Sequence, residues 1–533
     1  MLAELAVLAI CYGSEHQHGV AVVLVVALLL HRLLVVPFYT SPLRHVPGPY
    51  WHRVSFWPSV WAQYRCLWVK RVHQLHEQYG NVVLLSPTEV SFNGDHKYVR
   101  DIYTRNMPKL AHYKNFRALG YDNLFSTTEN DRHLRYKKAL LGLYLKSSVF
   151  ASTRPFLEHK ARLLLQQVHQ TNAKGVDVYL LFGALALDVV SAFELGPHNG
   201  TNMLQDPAKR EILASYRLHA STVFCRAPAF LDHVLRCVSS LFPSQAKTVV
   251  EDAHMDMFKK ALPVSRTTFE ALTKNGVERI QAFSFISDNI VAGHETTAFQ
   301  LTYLSYELSR PVNKHRQEVL HCELQRAFGR PSSPSDVVGN LEKLDSLPYL
   351  EALVWENLRV HTSGAGSLPR VCPAPYPLCL SGRTVTLPIG TVVSCQAYLL
   401  HRDKGLFPDG DKWIPERWLQ YVNESEDNYR ARTAHMKRDM MLFGKGVRMC
   451  LGMHLALIEI KIAIANLYWH YGSTICGEWC TVTEYGPDIK VGNAIEVGPG
   501  VLQGDSDENR MMMVDAESSR PYCDECWLQW SVR

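Results

Sequence analysis

Ten residues, FGKGVRMCLG from Phe443 to Gly452, combine types whose spacing suggests chemistry. Cys450 stands two residues after Arg448 and directly before Met453 to Trp469, an apolar stretch of helical length without a breaker. A helix start presents free N–H groups and the positive end of the helix dipole, and both favour an anion. A cysteine placed there is favoured as thiolate, the form that ligates metal. Arg448 suits a carboxylate, Gly444 and Gly446 allow sharp backbone turns, and Gly452 allows a flat ligand to approach closely. On these features alone, a buried core cysteine beside a turn explains the stretch equally well.

Three further groups could act with it. AGHETT, Ala292 to Thr297, lies inside a long helical pattern. A mid-helix threonine such as Thr296 can bond back to the preceding turn and bend the helix, so by itself it needs no catalytic role. Glu356 and Arg359 are three apart on one helical face and can pair. NDRHLRYKKAL carries His133 and Lys137 four residues apart, and GSLPRVCP carries Arg370.

FGKGVRMCLG fits the pattern FxxGxRxCxG at every fixed position, and the chain resembles the cytochrome P-450 superfamily of haem-thiolate monooxygenases. The resemblance implies a mainly α fold with a minor β-sheet region, haem b as cofactor, Cys450 as the axial ligand of its iron, and Arg448 on a propionate. It places Arg370 as a second propionate ligand. His133 and Lys137 fall on the family's third-helix motif, in which arginine normally follows; lysine lacks arginine's planar fork, so a bidentate contact is not expected there. Phe443, Gly444, Gly446 and Gly452 complete the haem loop. In AGHETT, Gly293 is expected to open a groove over the haem, with Glu295 as acid and Thr296 as hydroxyl in proton delivery to bound oxygen. Glu356, Arg359 and Arg417 (in WIPERW) resemble the family's structural triad and are assigned to folding.

The elements that must position these groups are helical. Periodicity and length predict helices over Phe156 to Val168, Val176 to Phe193, Phe283 to Leu308 and Leu350 to Val360, the third stopping before Pro311. A helix ending near Gly80 precedes strands Val82 to Leu85 and Glu89 to Phe92, and strand signals return at Arg383 to Leu387 and Thr391 to Cys395. The lack of regular βαβ alternation and of a phosphate-binding glycine motif argues against a Rossmann or barrel fold. Val20 to Phe38 forms nineteen predominantly apolar residues, about one membrane span, interrupted by Arg32. Residues 1–40 are read as a membrane anchor, 41–50 as a proline-stiffened connector (Pro42, Pro47, Pro49) and 51–533 as the catalytic domain. The basic flank (Arg32, Arg44) favours a cytosolic domain, and the resemblance named above implies a single-pass protein of the endoplasmic reticulum.

Composition agrees. A formal charge of +5 over 533 residues does not suggest nucleic acid, and thirteen scattered cysteines suit reduced thiols better than a disulfide framework. Cys523 and Cys526 have metal-ligand spacing but lack the two further ligands a zinc site needs.

The expected activity is insertion of one oxygen atom from O2 into a lipophilic small molecule, most similar to microsomal fungal enzymes of secondary metabolism. No flavin or nicotinamide motif is present, so a separate NADPH-cytochrome P-450 reductase is expected to supply electrons. Arg430, Arg432, Lys437, Arg438, Lys445 and Arg448 crowd the approach to the cysteine loop against a lone Asp439, which suggests an acidic partner docking there. Substrate contacts are expected from Phe116 to Thr127, Thr201 to Phe230, Ser363 to Leu368, the long helix and Met511 to Met513, the last within a polar and Met-rich segment from Gly500 to Ser519. The apolar and aromatic members Phe116, Leu119, Phe125, Phe224 and Phe230 suggest the lipophilic substrate. A haem-thiolate isomerase or dehydratase, and a non-catalytic membrane haem protein, are the alternatives; neither requires the acid and hydroxyl of Glu295 and Thr296.

Overall fold

A computed structural model describes residues 17–94, 96–171, 174–220, 245–484, 504–515 and 518–533. The first described element is α1, Gln17–Leu30, which continues as a wider helix over His31–Thr40. The widening surrounds Pro37, whose missing N–H and ring break the regular ladder. Gly19–Thr40 is 22 residues long and unburied, about 33 Å of helix, enough to cross a bilayer.

Next come α2, Trp68–Tyr79, which ends at Gly80 with φ of 90°, and the antiparallel pair β1, Val82–Ser86, and β2, Glu89–Phe92. Four helices then lead into the core: α3, Asn130–Leu141; α4, Lys146–Gln170; α5, Val178–Leu195; and, after the segment that precedes it, α6, Ile212–Ala220. Asp177 caps α5 by accepting from the N–H groups of Tyr179 and Leu180, so Val176 and Asp177 are strand (β3) and not the expected start of the helix. α5 is apolar on every face and almost wholly buried, which marks a core helix despite a span-like composition.

After α7, Gln245–Lys260, the 31-residue α8, Arg279–Ser309, runs through the core and packs most extensively on α5. It stops because Arg310 precedes Pro311 and is extended. α9, Pro348–Val360, is followed by β4, Arg370–Val371, β5, Tyr376–Leu380, β6, Arg383–Leu387, and β7, Val392–Cys395. The main sheet has the order β1-β2-β7-β4, with β2 and β7 parallel; β5 and β6 form a separate hairpin.

The basic stretch expected as part of the docking surface is itself a helix, α10, Glu426–Asp439. Ser425 caps it, with acidic residues in its first turn and basic ones in its last, as the helix dipole favours. α11, Met453–His470, then leads into β8, Tyr471–Ile475, which pairs with the closing strand β9, Trp527–Val532; β9 also pairs with β3.

Candidate active site

The cysteine loop joins α10 to α11 and is held by its own backbone. The Cys450 N–H donates to the Phe443 carbonyl at 2.8 Å, Gly444 to Met441 at 3.2 Å and Met449 to Gly446 at 3.1 Å. Gly444 and Gly446 have φ of 72° and 67°, a region that penalises a side chain. At Gly446 space is also closed, because a Cβ would lie 2.3 Å from the Tyr103 carbonyl oxygen. Around Gly452 a Cβ would meet nothing within 4 Å, so open space adjoins the loop there. Phe443 packs on the main core.

Cys450 is enclosed by protein yet its side chain is accessible, so its thiol borders an interior space. The Gly452 and Met453 N–H groups and the Lys137 charge favour its thiolate, as expected at a helix start. Burial outweighs them and pushes the thiol up from its ordinary value. A thiolate here needs a bound cation of its own.

Beside the loop lie buried and half-buried basic side chains bonded mainly to carbonyls. Arg448 donates to the carbonyls of Thr127 and Thr128 and to Asn130 Oδ1 at 2.6, 3.1 and 2.9 Å, and its Nε has no partner. Burial, then Arg370, pushes Arg448 down to about 10. Arg370 is buried on β4 and donates to the Tyr113 hydroxyl and the Pro369 carbonyl. His133 is buried on α3 with no partner for Nδ1, and burial followed by the charges of Arg448, Lys109, Lys137 and Arg370 pushes it down to about 3.

Lys109 is a cation of this cluster that sequence reasoning missed. It is buried, donates to the Phe125 carbonyl at 2.6 Å and lies 4.2 Å from the centre of the Tyr113 ring, which it shares with Arg370. No motif marks it; only the backbone bridge between Lys109 and Arg370 brings them together. Lys137 departs from the expected propionate contact: its Nζ donates to the Val447 and Met449 carbonyls at 2.7 and 2.9 Å. Those bonds tie α3 to the cysteine loop and place a charge near Cys450.

On α8, Ala292 is exposed among buried Ile290, His294 and Thr297, so space opens on this face of the helix. Thr296 Oγ1 donates back to the Ala292 carbonyl at 2.7 Å, and the Thr296 carbonyl accepts from Ser363 at 3.3 Å. Gly293 corrects the expectation that it opens a groove toward the ligand. A Cβ there would lie 2.8 Å from Val190 Cγ2, so the glycine lets α8 and α5 approach closely. Glu295 lines a small, mainly apolar cleft with Tyr179, Leu213, His294, Ala298 and Arg520.

Glu356, Arg359 and Arg417 are buried together. Arg359 donates to Glu356 at 2.9 and 2.8 Å and Arg417 at 3.0 Å; Trp418 Nε1 and the Ile414 N–H complete the set at 2.9 and 2.8 Å. Together they join α9 to the segment that leads toward the cysteine loop.

Two expected regions are placed differently. Met511 to Met513 are buried in protein packing, with the Met511 carbonyl accepting from Tyr303, and do not offer a substrate surface. Of the six basic residues before the cysteine, Arg448 faces inward and Arg432 is bound to Glu424 and to the Arg417 and Leu419 carbonyls. Arg430 and Arg438 remain well exposed, although paired with Glu426 and Asp439. Phe224 and Phe230 lie outside the described residues. Among the described residues no cluster of three metal-ligating side chains forms, at Cys523 and Cys526 or elsewhere.

A family model described as cytochrome P-450 matches residues 46–478. The chain is 28% identical over 448 residues to a cytochrome P-450 monooxygenase of Aspergillus niger, covering 79% of this chain and 85% of the relative. It is 27% identical over 482 residues to one of Cochliobolus heterostrophus, covering 83% and 86%. A tryptophan 6-hydroxylase of Fusarium equiseti is 28% identical over 493 residues, covering 84% and 89%. The group this family carries, an iron haem with thiolate ligation, fits the residues present. A reachable enclosed thiol adjoins open space at Gly452, and an under-partnered set of cations stands beside it, as two propionates require.

Proposed function

The chain belongs to the cytochrome P-450 family of haem-thiolate monooxygenases, and from that premise we propose a residue-level account of how it works. Enzymes of this family use O2, a lipophilic substrate and usually a redox partner. The observation that carries the account is the enclosed but reachable Cys450 beside the cation cluster. Cys450 holds the iron; Arg448, Arg370 and His133, with Lys109, hold the propionates. Lys137 braces the loop and keeps positive charge near the sulfur. When bound, haem supplies the oxygen-activating chemistry, its thiolate ligand donating electron density to iron.

The chain's own part is to bind, shield and move protons. Thr296 lies on the same face of α8 as the exposed Ala292, and in this account that face looks onto the haem site at Cys450. Its hydroxyl rests on the Ala292 carbonyl and would turn to donate a proton toward the haem site, and Glu295, the neighbouring acid, would refill it. Phe116 and Phe125, with ring centres 4.8 Å apart, form an aromatic pair that we assign to contact with a lipophilic substrate of secondary metabolism.

Residues 1–40 anchor the protein in the endoplasmic reticulum membrane as a single span, 41–50 connect, and 51–533 form the cytosolic domain. The NADPH-cytochrome P-450 reductase docks beside α10. The test is incorporation of one atom of labelled O2 into extracted lipophilic metabolites by membranes supplied with NADPH. Thr296→Ala should lower product per NADPH consumed by about a hundredfold, the scale of a lost proton donor, without weakening substrate binding. Turnover without O2 or NADPH, indifferent to this substitution, would overturn the account.

A further inference from the structure

An aromatic surface beside the span has no part in the chemistry above. In the helix Trp57–Tyr64 the inward face is Ser59, Val60 and Ala62, all buried, and the outward face is Trp57, Trp61 and Tyr64, each more than half exposed. These three fall at i, i+4 and i+7, where a helix that faces water carries polar or charged side chains. Trp51, on the adjoining short helix Tyr50–Val54, is 64% exposed. Both helices are fixed to the main sheet through one carbonyl: His52 Nδ1 and Ser59 Oγ lie 2.8 and 2.5 Å from the Leu85 oxygen on β1.

The span is fixed to the same helices. The Tyr50 hydroxyl donates to the Leu33 carbonyl at 2.9 Å, and the Tyr50 ring stacks on Phe38 with centres 6.0 Å apart. Leu33 is four residues before Pro37, so a regular helix would pair its carbonyl with the N–H that proline lacks. Arg53 donates to the Arg44 and Val46 carbonyls at 3.0 and 2.7 Å, which folds the connector back onto the domain. The domain therefore does not hang from a free tether.

Depth follows from these contacts. Leu33 lies about 10 Å along the axis inside the end of the span at Thr40, so Tyr50 sits at the level of the span's last turns and not beyond them. Arg32, next to Leu33 and exposed, keeps its charge out of hydrocarbon only where headgroups or water reach that level. The headgroup layer thus covers Tyr50 and its neighbour Trp51. Tryptophan and tyrosine suit that layer, being apolar in body and polar at one edge. Charge agrees: from His16 to His76 the chain has no aspartate or glutamate, against Arg32, Arg44, Arg53, Arg65, Lys70 and Arg71.

We propose that this aromatic face is a second lipid-contact surface: Tyr50 clamps the span to the domain, and Trp51, Trp57, Trp61 and Tyr64 lie in the headgroup layer of an anionic bilayer and hold the catalytic domain at one attitude to it. This inference rests on the membrane-span reading of Gly19–Thr40 above. A second copy of the chain would bring the same cations against themselves, whereas anionic headgroups complement them.

The test uses the haem-loaded full chain in nanodiscs of phosphatidylcholine with a minor share of phosphatidylserine, the phosphatidylcholine either plain or brominated near the top of its acyl chains. Bromine quenches tryptophan at contact, so wild-type emission should fall by about a quarter, the share of Trp51, Trp57 and Trp61 among eleven tryptophans. Trp51→Phe, Trp57→Phe and Trp61→Phe together keep the face apolar and should abolish that loss. Tyr50→Ala should lower the haem linear dichroism of oriented bilayers, because the domain then tilts on the span.

Emission that brominated lipid leaves unchanged would overturn the proposal: open to aqueous acrylamide, the face is in water; closed to it, protein covers the face. Quenching that survives in the triple variant, or dichroism unchanged by Tyr50→Ala, would overturn it as well. Release of the chain from the bilayer by an alkaline wash is the separate failure of the span reading, which takes the proposal with it. A normal carbon monoxide spectrum shows that each variant is folded.

Discussion

Replacing Glu356 by glutamine keeps the shape of the side chain and removes its charge, which makes it a sharp test of what holds the cysteine loop in place. Three donors converge on Oε1 (Arg359 Nη2, Arg417 Nε and the Ile414 N–H) and two on Oε2 (Arg359 Nε and Trp418 Nε1). A glutamine amide must put its NH2 at one of these positions. The less damaging choice still loses two acceptor bonds, sets donor against donor and leaves two buried guanidinium groups without a counter-charge. Removing one partner of a buried pair costs about 3–5 kcal/mol, or roughly three powers of ten in the folding equilibrium near the middle of that range. That is a large part of the ~5–15 kcal/mol available to a typical domain.

The electrostatics also set a pH signature. The charges of Arg359 and Arg417 and their hydrogen bonds hold the Glu356 carboxyl below its usual range despite burial. A depressed carboxylate contributes stability that is fully present above the unfolded value near ~4.3 and is lost as pH falls through the folded one. Glu356→Gln should therefore lower the denaturation midpoint and the yield of thiolate-ligated haem at pH 7, with a difference from wild type that narrows in acid. A midpoint equal to wild type at pH 7, with normal haem loading, would refute the reasoning.

Other outcomes follow from single contacts. Lys137→Met removes the bonds to Val447 and Met449 and the charge near Cys450, and should speed haem loss to apomyoglobin roughly tenfold, as outer-shell changes do. Gly293→Ala should cost about 1–2 kcal/mol in urea titrations, because overpacking against Val190 exceeds the gain in helix propensity; Val190→Ala in the same chain should restore part of it. Reversing Arg430, Lys437 and Arg438 together to glutamate should slow reductase-driven haem reduction about tenfold at low salt, and the difference should shrink at high salt.

What was readable in advance was what lies close together in the chain. The cysteine loop is ten contiguous residues, α8 ends at a proline, and Glu356 and Arg359 are three apart on one helix, so periodicity and local motifs sufficed. Lys109 could not be found that way, because only a β-bridge to Arg370 brings it into the cation cluster. Lys137 and Gly293 had the right positions but different neighbours: the lysine reaches carbonyls of the loop, and the glycine faces α5. The basic stretch was overcounted as a surface because Arg432 folds back onto Glu424 and Arg448 points inward, directions that charge alone does not specify. Met511 to Met513 show the same limit, since a methionine suits a packed core as well as a pocket wall.

The central claim is that Cys450 ligates haem iron as a thiolate, and the carbon monoxide difference spectrum of the reduced protein tests it most directly. Membranes carrying the wild type should show the long-wavelength Soret band of thiolate-ligated haem, and Cys450→Ser should lose it while the chain is still made and inserted. A band unchanged by the substitution, or absent from well-expressed, haem-loaded wild type, would contradict the account.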